Sequence, residues 1–187
     1  MPETGFHLRI RTALFLLLER ELKGRAFVGS DQFVYWDAAN PKACLAPDII
    51  VRMGAPFEIV RSYKIWERGA PHLAVEIVSK DDRRDHDWTG NLERYRRTGI
   101  CEIVRFDAED DAAPLRLWDN IEGDLVERDL SDPEGLRCDI LGAYWTVVPD
   151  SALVRVLCLA RNRDGTDLWL TPEERIAELE RELERRR

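Results

Sequence analysis

Pro47-Asp48-Ile49-Ile50-Val51, and further on His72-Leu73-Ala74-Val75-Glu76-Ile77-Val78-Ser79, decide how the rest of the chain reads. Each is a short apolar run with a carboxylate in or beside it. The second leads into a charged segment from Arg83 to Asn91. An acid within a strand run is costly unless something compensates its charge, and metal coordination is one such compensation. Two strands of this kind followed by a helix suggest two carboxylates converging on one metal ion.

The 187 residues are enough for one domain with a sizeable core, and 44% hydrophobic with 34% charged is an ordinary globular balance. The net charge of −8 is unevenly distributed. Residues 1–107 carry 17 basic and 16 acidic side chains, whereas residues 108–187 carry 11 and 20. The acidic excess therefore lies outside the opening stretch. A wide basic face for gripping duplex DNA would give a different overall balance, although a local basic patch is compatible with this one. The four cysteines, Cys44, Cys101, Cys138 and Cys158, have neither the spacing of a zinc site nor that of a disulfide framework, so buried free thiols are expected. The apolar run 13–18 is shorter than a signal-peptide core, and no segment reaches membrane-spanning length. The expected location is cytoplasmic, with no membrane association.

Working outward, Ile10, Leu14, Leu17, Leu18 and Leu22 predict an amphipathic helix over 6–23, stopped by Gly24. Strands are expected over 25–29 and 32–37. Residues 55–71 show no clear period and read as an ordered excursion that packs Tyr63 and Trp66 on the domain. The nearly continuous apolar run 72–79 reads as a strand covered on both faces. Asp82 or Asp85 caps a helix that runs to Thr98 and stops at Gly99, and 100–107 returns as a strand. Strand, helix and strand at this spacing form a βαβ-like unit, so helices should flank a mixed sheet. Runs 115–118 and 124–129, joined by 120–123, predict a hairpin, with further short strands near 144–148 and 153–159. Thr171, Pro172 and Glu174 mark the start of a last, charged helix over 171–187, following a domain of residues 1–170. Its stripe Ile176, Leu179 and Leu183 spans about two heptads; a frayed terminal helix and homodimeric pairing are both open readings.

Asp48 and Glu76, on adjacent strands, face the same way if their strand parity agrees. They then offer hard oxygen ligands suited to Mg²⁺ or Mn²⁺. Such an ion at a phosphodiester polarises the phosphoryl oxygen and lowers the pKa of an attacking water. A neighbouring cation, usually a lysine, stabilises the charge that develops.

The order of these pieces resembles the PD-(D/E)XK nuclease superfamily, and within it the Uma family of restriction endonucleases. The matching pieces are His7, Ala46-Pro47-Asp48-Ile49-Ile50-Val51, Arg61-Ser62-Tyr63-Lys64-Ile65-Trp66-Glu67, Val75-Glu76-Ile77-Val78-Ser79, and an Asp87-x-x-x-Asn91-x-x-x-Tyr95 frame ending at Gly99-Ile100. The resemblance implies an α/β, restriction-endonuclease-like core: a central mixed sheet flanked by helices, with added C-terminal β-hairpins and a terminal helix. It implies a Mg²⁺- or Mn²⁺-dependent endonuclease acting on DNA, with Asp48 and Glu76 as metal ligands. The superfamily's plain pattern puts a lysine two residues after the second acid, where Val78 stands. The Uma pattern moves that lysine to the following helix, where this chain has Asn91. An amide orients a water or a phosphate oxygen but carries no charge. Lys80 is one stand-in, and it reads equally as a solvated loop lysine. An inactive nuclease-fold protein that binds nucleic acid or protein is therefore the alternative.

Four supporting residues each carry two readings. His7 contacts phosphate or metal, or packs. Glu19 is a third acidic ligand or an exposed helix residue. Asp87 orients neighbours or favours its own helix N-terminus. Tyr95 reaches the site or packs on the sheet. Arg83, Arg84, Arg94, Arg96 and Arg97 make the helix basic, for a nucleic-acid backbone or for a salt-bridged surface.

Overall fold

The computed structural model describes residues 4–78 and 88–186. A 17-residue helix, α1 (Gly5–Glu21), leads into β1 (Ala26–Ser30), β2 (Val34–Tyr35), β3 (Cys44–Leu45) and β4 (Ile49–Met53). Then come β5 (Tyr63–Lys64), α2 (Ile65–Arg68), β6 (Leu73–Ile77), α3 (Trp88–Arg96) and β7 (Glu102–Phe106). The chain continues through β8 (Leu115–Ile121), β9 (Asp124–Glu127), a 3-10 turn at Pro133–Leu136, β10 (Arg137–Cys138), β11 (Ala143–Asp150), β12 (Val154–Ala160) and α4 (Pro172–Arg185).

Six strands form the central sheet in the order β1-β4-β6-β7-β8-β9. The β6–β7 pair is parallel and the other neighbours are antiparallel, so the sheet is mixed, as the sequence implies. A parallel neighbour requires a crossover, and α3 lies on the segment that makes it. Strand alternation then sorts the side chains between two faces. Ile49, Val51, Leu73, Val75, Ile77, Val104 and Leu117 face one core, which takes in the α1 stripe Ile10, Leu14, Leu17 and Leu18. The β10-β11-β12 sheet closes that core with Ala143, Trp145, Leu157 and Leu159. Ile50, Ala74, Ile103 and Trp118 face a second core with Phe27, Tyr63, Tyr95 and Ile100. Both faces of β4 and β6 are covered, which is why their sequences read as near-continuous apolar runs.

Several boundaries differ from the sequence expectations. Thr4 caps α1, its hydroxyl accepting from the His7 N–H at 3.2 Å, so the helix starts one residue earlier than its apolar period shows. The expected strand 32–37 narrows to Val34–Tyr35, because β2 pairs only with the two-residue strands β3 and β5. Tyr63 is 1% exposed, as expected, but Trp66 is 47% exposed: α2 is a single turn that turns it outward. Of the cysteines, Cys138 is buried, Cys44 and Cys158 are half-buried, and Cys101 is exposed, so only one meets the expectation in full. The start signal of α4 is realised as read, with both arms of the Thr171–Glu174 capping box present. Its apolar stripe, Ile176, Leu179 and Leu183, is exposed.

One polar cluster is built on a buried acid, Glu102, and reaches from it to the surface. Glu102, 2% exposed, accepts from Trp145 Nε1 at 2.8 Å and from Arg128 Nη2 at 2.8 Å. Arg128 also donates to both carboxylate oxygens of Asp119 and to the carbonyls of Gly135 and Arg137. One guanidinium thus links β7, β8 and the approach to β10. Flanking carboxylates hold Arg128 above its ordinary pKa despite its burial, so it stays charged.

Candidate active site

The register of β4 on β6 places the two acids. Ile49 pairs with Val75, Ile50 with Ala74 and Val51 with Leu73. Asp48 and Glu76 are the next residues on the two strands, one step beyond the last pair. Asp48 shares the parity of Ile50, and Glu76 that of Ala74, so both belong to the sheet face covered by α3. Directly opposite residues have Cβ atoms about 4.5–5.5 Å apart, a spacing at which two like charges repel. Asp48 itself lies one residue ahead of β4, where the strands begin to part.

Each carboxylate is held by neighbours. Asp48, 7% exposed, accepts from the Ile77 backbone N–H through Oδ2 at 2.7 Å. His7 Nε2, arriving from the first turn of α1, lies 3.0 Å from both Asp48 oxygens. On the other strand, the Tyr95 hydroxyl donates to Glu76 Oε1 at 2.5 Å. Tyr95 is buried in the second core. Burial, then the Glu76 charge and hydrogen bond, and then Asp48 push its phenol well above the ordinary tyrosine pKa. The hydroxyl therefore keeps its proton and remains a donor to Glu76.

These groups open into one cleft of about 390 Å³, walled by His7, Phe33, Cys44, Leu45, Ala46, Asp48, Glu76, Ile77, Asn91, Arg94 and Tyr95. Of the sequence candidates, His7, Asp48, Glu76, Asn91 and Tyr95 are brought together there. Glu19 is not among them: it lines a separate groove with Leu16, Lys23 and Phe57, on another part of α1. Lys80 and Asp87 fall outside the described residues, as do Arg83 and Arg84.

Asn91, Arg94 and Tyr95 reach the cleft because they lie at i, i+3 and i+4 on α3 and so share one helical face. Arg94 donates to the Cys44 carbonyl at the cleft wall. In the sequence it is one of five arginines of a basic segment; the i+3 spacing from Asn91 singles it out once the inward face is known. Arg96 and Arg97 turn the other way and pair with Glu93 at 3.0 and 3.4 Å, a salt-bridged outer surface.

The chain is similar to known proteins over most of its length. The family model Uma2, described as "Putative restriction endonuclease", matches residues 1–184. No curated protein matches the chain. Among solved structures, the chain is similar to the "putative nuclease belonging to DUF820 from Anabaena variabilis ATCC 29413", with 15% identity and a TM-score of 0.47, covering 82% of this chain and 76% of that one. The family match takes in both carboxylate strands, the helix above them and the C-terminal strands, and on that extent the chain belongs to the Uma2 family.

Proposed function

We propose that the protein is a divalent-metal-dependent endonuclease that hydrolyses phosphodiester bonds in DNA, with Asp48 and Glu76 as its metal ligands. The observation that carries this reading is that Asp48 and Glu76, each one residue beyond the paired Ile49 and Val75, wall the same cleft on the α3 face. Like charges so placed are stabilised by a cation between them. Among the described residues no cluster of three or more His, Cys, Asp or Glu side chains is arranged for a metal. Two carboxylates suit Mg²⁺, which is commonly bound by one or two of them and completes its octahedron with water and phosphate oxygens.

Bound Mg²⁺ or Mn²⁺ supplies Lewis acidity at the phosphoryl oxygen and an activated water. The chain's own residues position the reactants. His7 and the Ile77 N–H fix the Asp48 carboxylate, and Tyr95 fixes that of Glu76; partners of this kind orient ligands and raise their effectiveness. Asn91 offers an amide to orient the attacking water or a phosphate oxygen. In the reaction the water oxygen bonds to phosphorus and one P–O ester bond breaks. The water releases a proton to solvent, and the departing oxygen takes one up.

Supercoiled plasmid incubated with protein and Mg²⁺ or Mn²⁺ is expected to be nicked or linearised, and EDTA is expected to stop the reaction. Cleavage that persists undiminished in the double variant Asp48→Ala, Glu76→Ala overturns the assignment of these residues. The presence of Asn91 in the cleft favours a second reading, a nuclease fold that binds nucleic acid or a protein partner without cutting. A silent parent that gains cleavage through Asn91→Lys supports that second reading.

A further inference from the structure

We infer that Arg94 carries the positive charge at the scissile phosphate, the charge that Asn91 leaves out. The inference rests on the nuclease reading above.

Arg94 lines the same cleft as Asp48 and Glu76, and it follows Asn91 by one helical turn. Its neighbour Tyr95 is fixed to Glu76, which anchors this part of α3 over the acids. The guanidinium is itself held: Nη2 donates to the Cys44 carbonyl, and Nη1 lies 3.5 Å from Asn91 Oδ1. A guanidinium has five N–H donors, so these two contacts leave three to meet a phosphate. Among the described residues no carboxylate lies within ion-pair distance of Arg94, whereas Arg96 and Arg97 are engaged by Glu93. Among the described residues, then, no acid neutralises its charge.

The pair at 91 and 94 thus divides what one lysine does. Asn91 presents its amide oxygen to Arg94, which leaves the amide nitrogen for the cleft. Arg94 supplies charge in a planar fork suited to two phosphate oxygens at once. A lysine at position 91 beside Arg94 would set two cations at i, i+3 and gain little.

Four variants test this on the full chain: Arg94→Gln, Arg97→Gln, Asn91→Lys, and Arg94→Gln with Asn91→Lys. The readouts are the single-turnover rate of plasmid cleavage with Mg²⁺ and the Kd for a labelled duplex in Ca²⁺. Arg94→Gln is expected to slow cleavage by about 10²–10³-fold, the loss seen when one transition-state donor is removed, with Kd changed only a few-fold. Adding Asn91→Lys to it is expected to regain at least about tenfold, although Asn91→Lys alone adds nothing; such non-additivity marks two groups serving one role. Arg97→Gln is expected to leave the rate unchanged. Arg94→Gln cleaving at the parental rate overturns the inference alone, as does a loss confined to Kd or an absence of rescue. A parent that does not cleave overturns the nuclease reading and the inference with it.

Discussion

Asp48→Asn is expected to reduce Mg²⁺-dependent cleavage by about 10³-fold or more while leaving the fold intact. An asparagine oxygen can still accept from the Ile77 N–H, so the buried donor keeps a partner and the strand end keeps its geometry. What is lost is the negative charge that shares the cleft with Glu76 and, with it, much of the attraction for a divalent cation. Metal activation is worth several kcal/mol in the transition state, and about 1.4 kcal/mol corresponds to tenfold in rate. Without metal the same change has opposed effects on stability, relieving the like-charge pair with Glu76 but weakening the contact with His7 Nε2, so a net change within about 1 kcal/mol is expected. Thermal melts with and without Mg²⁺ check both statements. Mg²⁺ should raise the parental Tm by binding the native state, and should do little to the variant. A variant that is strongly destabilised in the absence of metal contradicts the account, because Asp48 would then be structural.

Arg128→Met is expected to cost about 3–5 kcal/mol of folding stability, the usual result of leaving one partner of a buried pair uncompensated. Glu102 is the residue left behind. It is 2% exposed, and without Arg128 it keeps hydrogen bonds from Trp145 Nε1 and the Cys138 thiol but no cation. The carbonyls of Gly135 and Arg137 lose a donor as well. Glu102→Gln in the same chain removes the orphaned charge and keeps an acceptor for Trp145. The double variant is therefore expected to recover a large part of the loss, which separates charge burial from lost packing. Urea unfolding measures this: the midpoint should fall in Arg128→Met and partly return in the double variant, at an unchanged slope. Equal losses in the single and double variants would assign the effect to packing of the arginine stem instead.

These two clusters differ in how far the sequence reveals them. Asp48 and Glu76 are conspicuous because an acid stands out in a run such as Leu73–Ile77, and the covered strands declare themselves by being apolar throughout. Whether the acids share a face is a matter of register, and register is set by pairing between strands more than twenty residues apart. The capping box of α4 is legible because every part of it lies within four residues. The Thr4 cap is equally local, yet it lies outside the apolar period that marks α1. Glu102 and Arg128 are the opposite case: 26 residues separate them, and both read as ordinary strand charges until the sheets are stacked. Arg94 is hidden differently, among arginines of equal appearance. Only the helical face defined by Tyr95 on Glu76 distinguishes it from Arg96 and Arg97. The exposed Trp66 shows the limit of reading aromatics as core: a single turn of helix leaves its ring at the surface.

The central claim is that Asp48 and Glu76 share a divalent cation, and calorimetric titration of the full chain with Mn²⁺ tests it most directly. A site of near-unit stoichiometry is expected in the parent and is expected to disappear in the double variant Asp48→Asn, Glu76→Gln, with both proteins folded by circular dichroism. An unaltered Mn²⁺ isotherm in the folded double variant would contradict it.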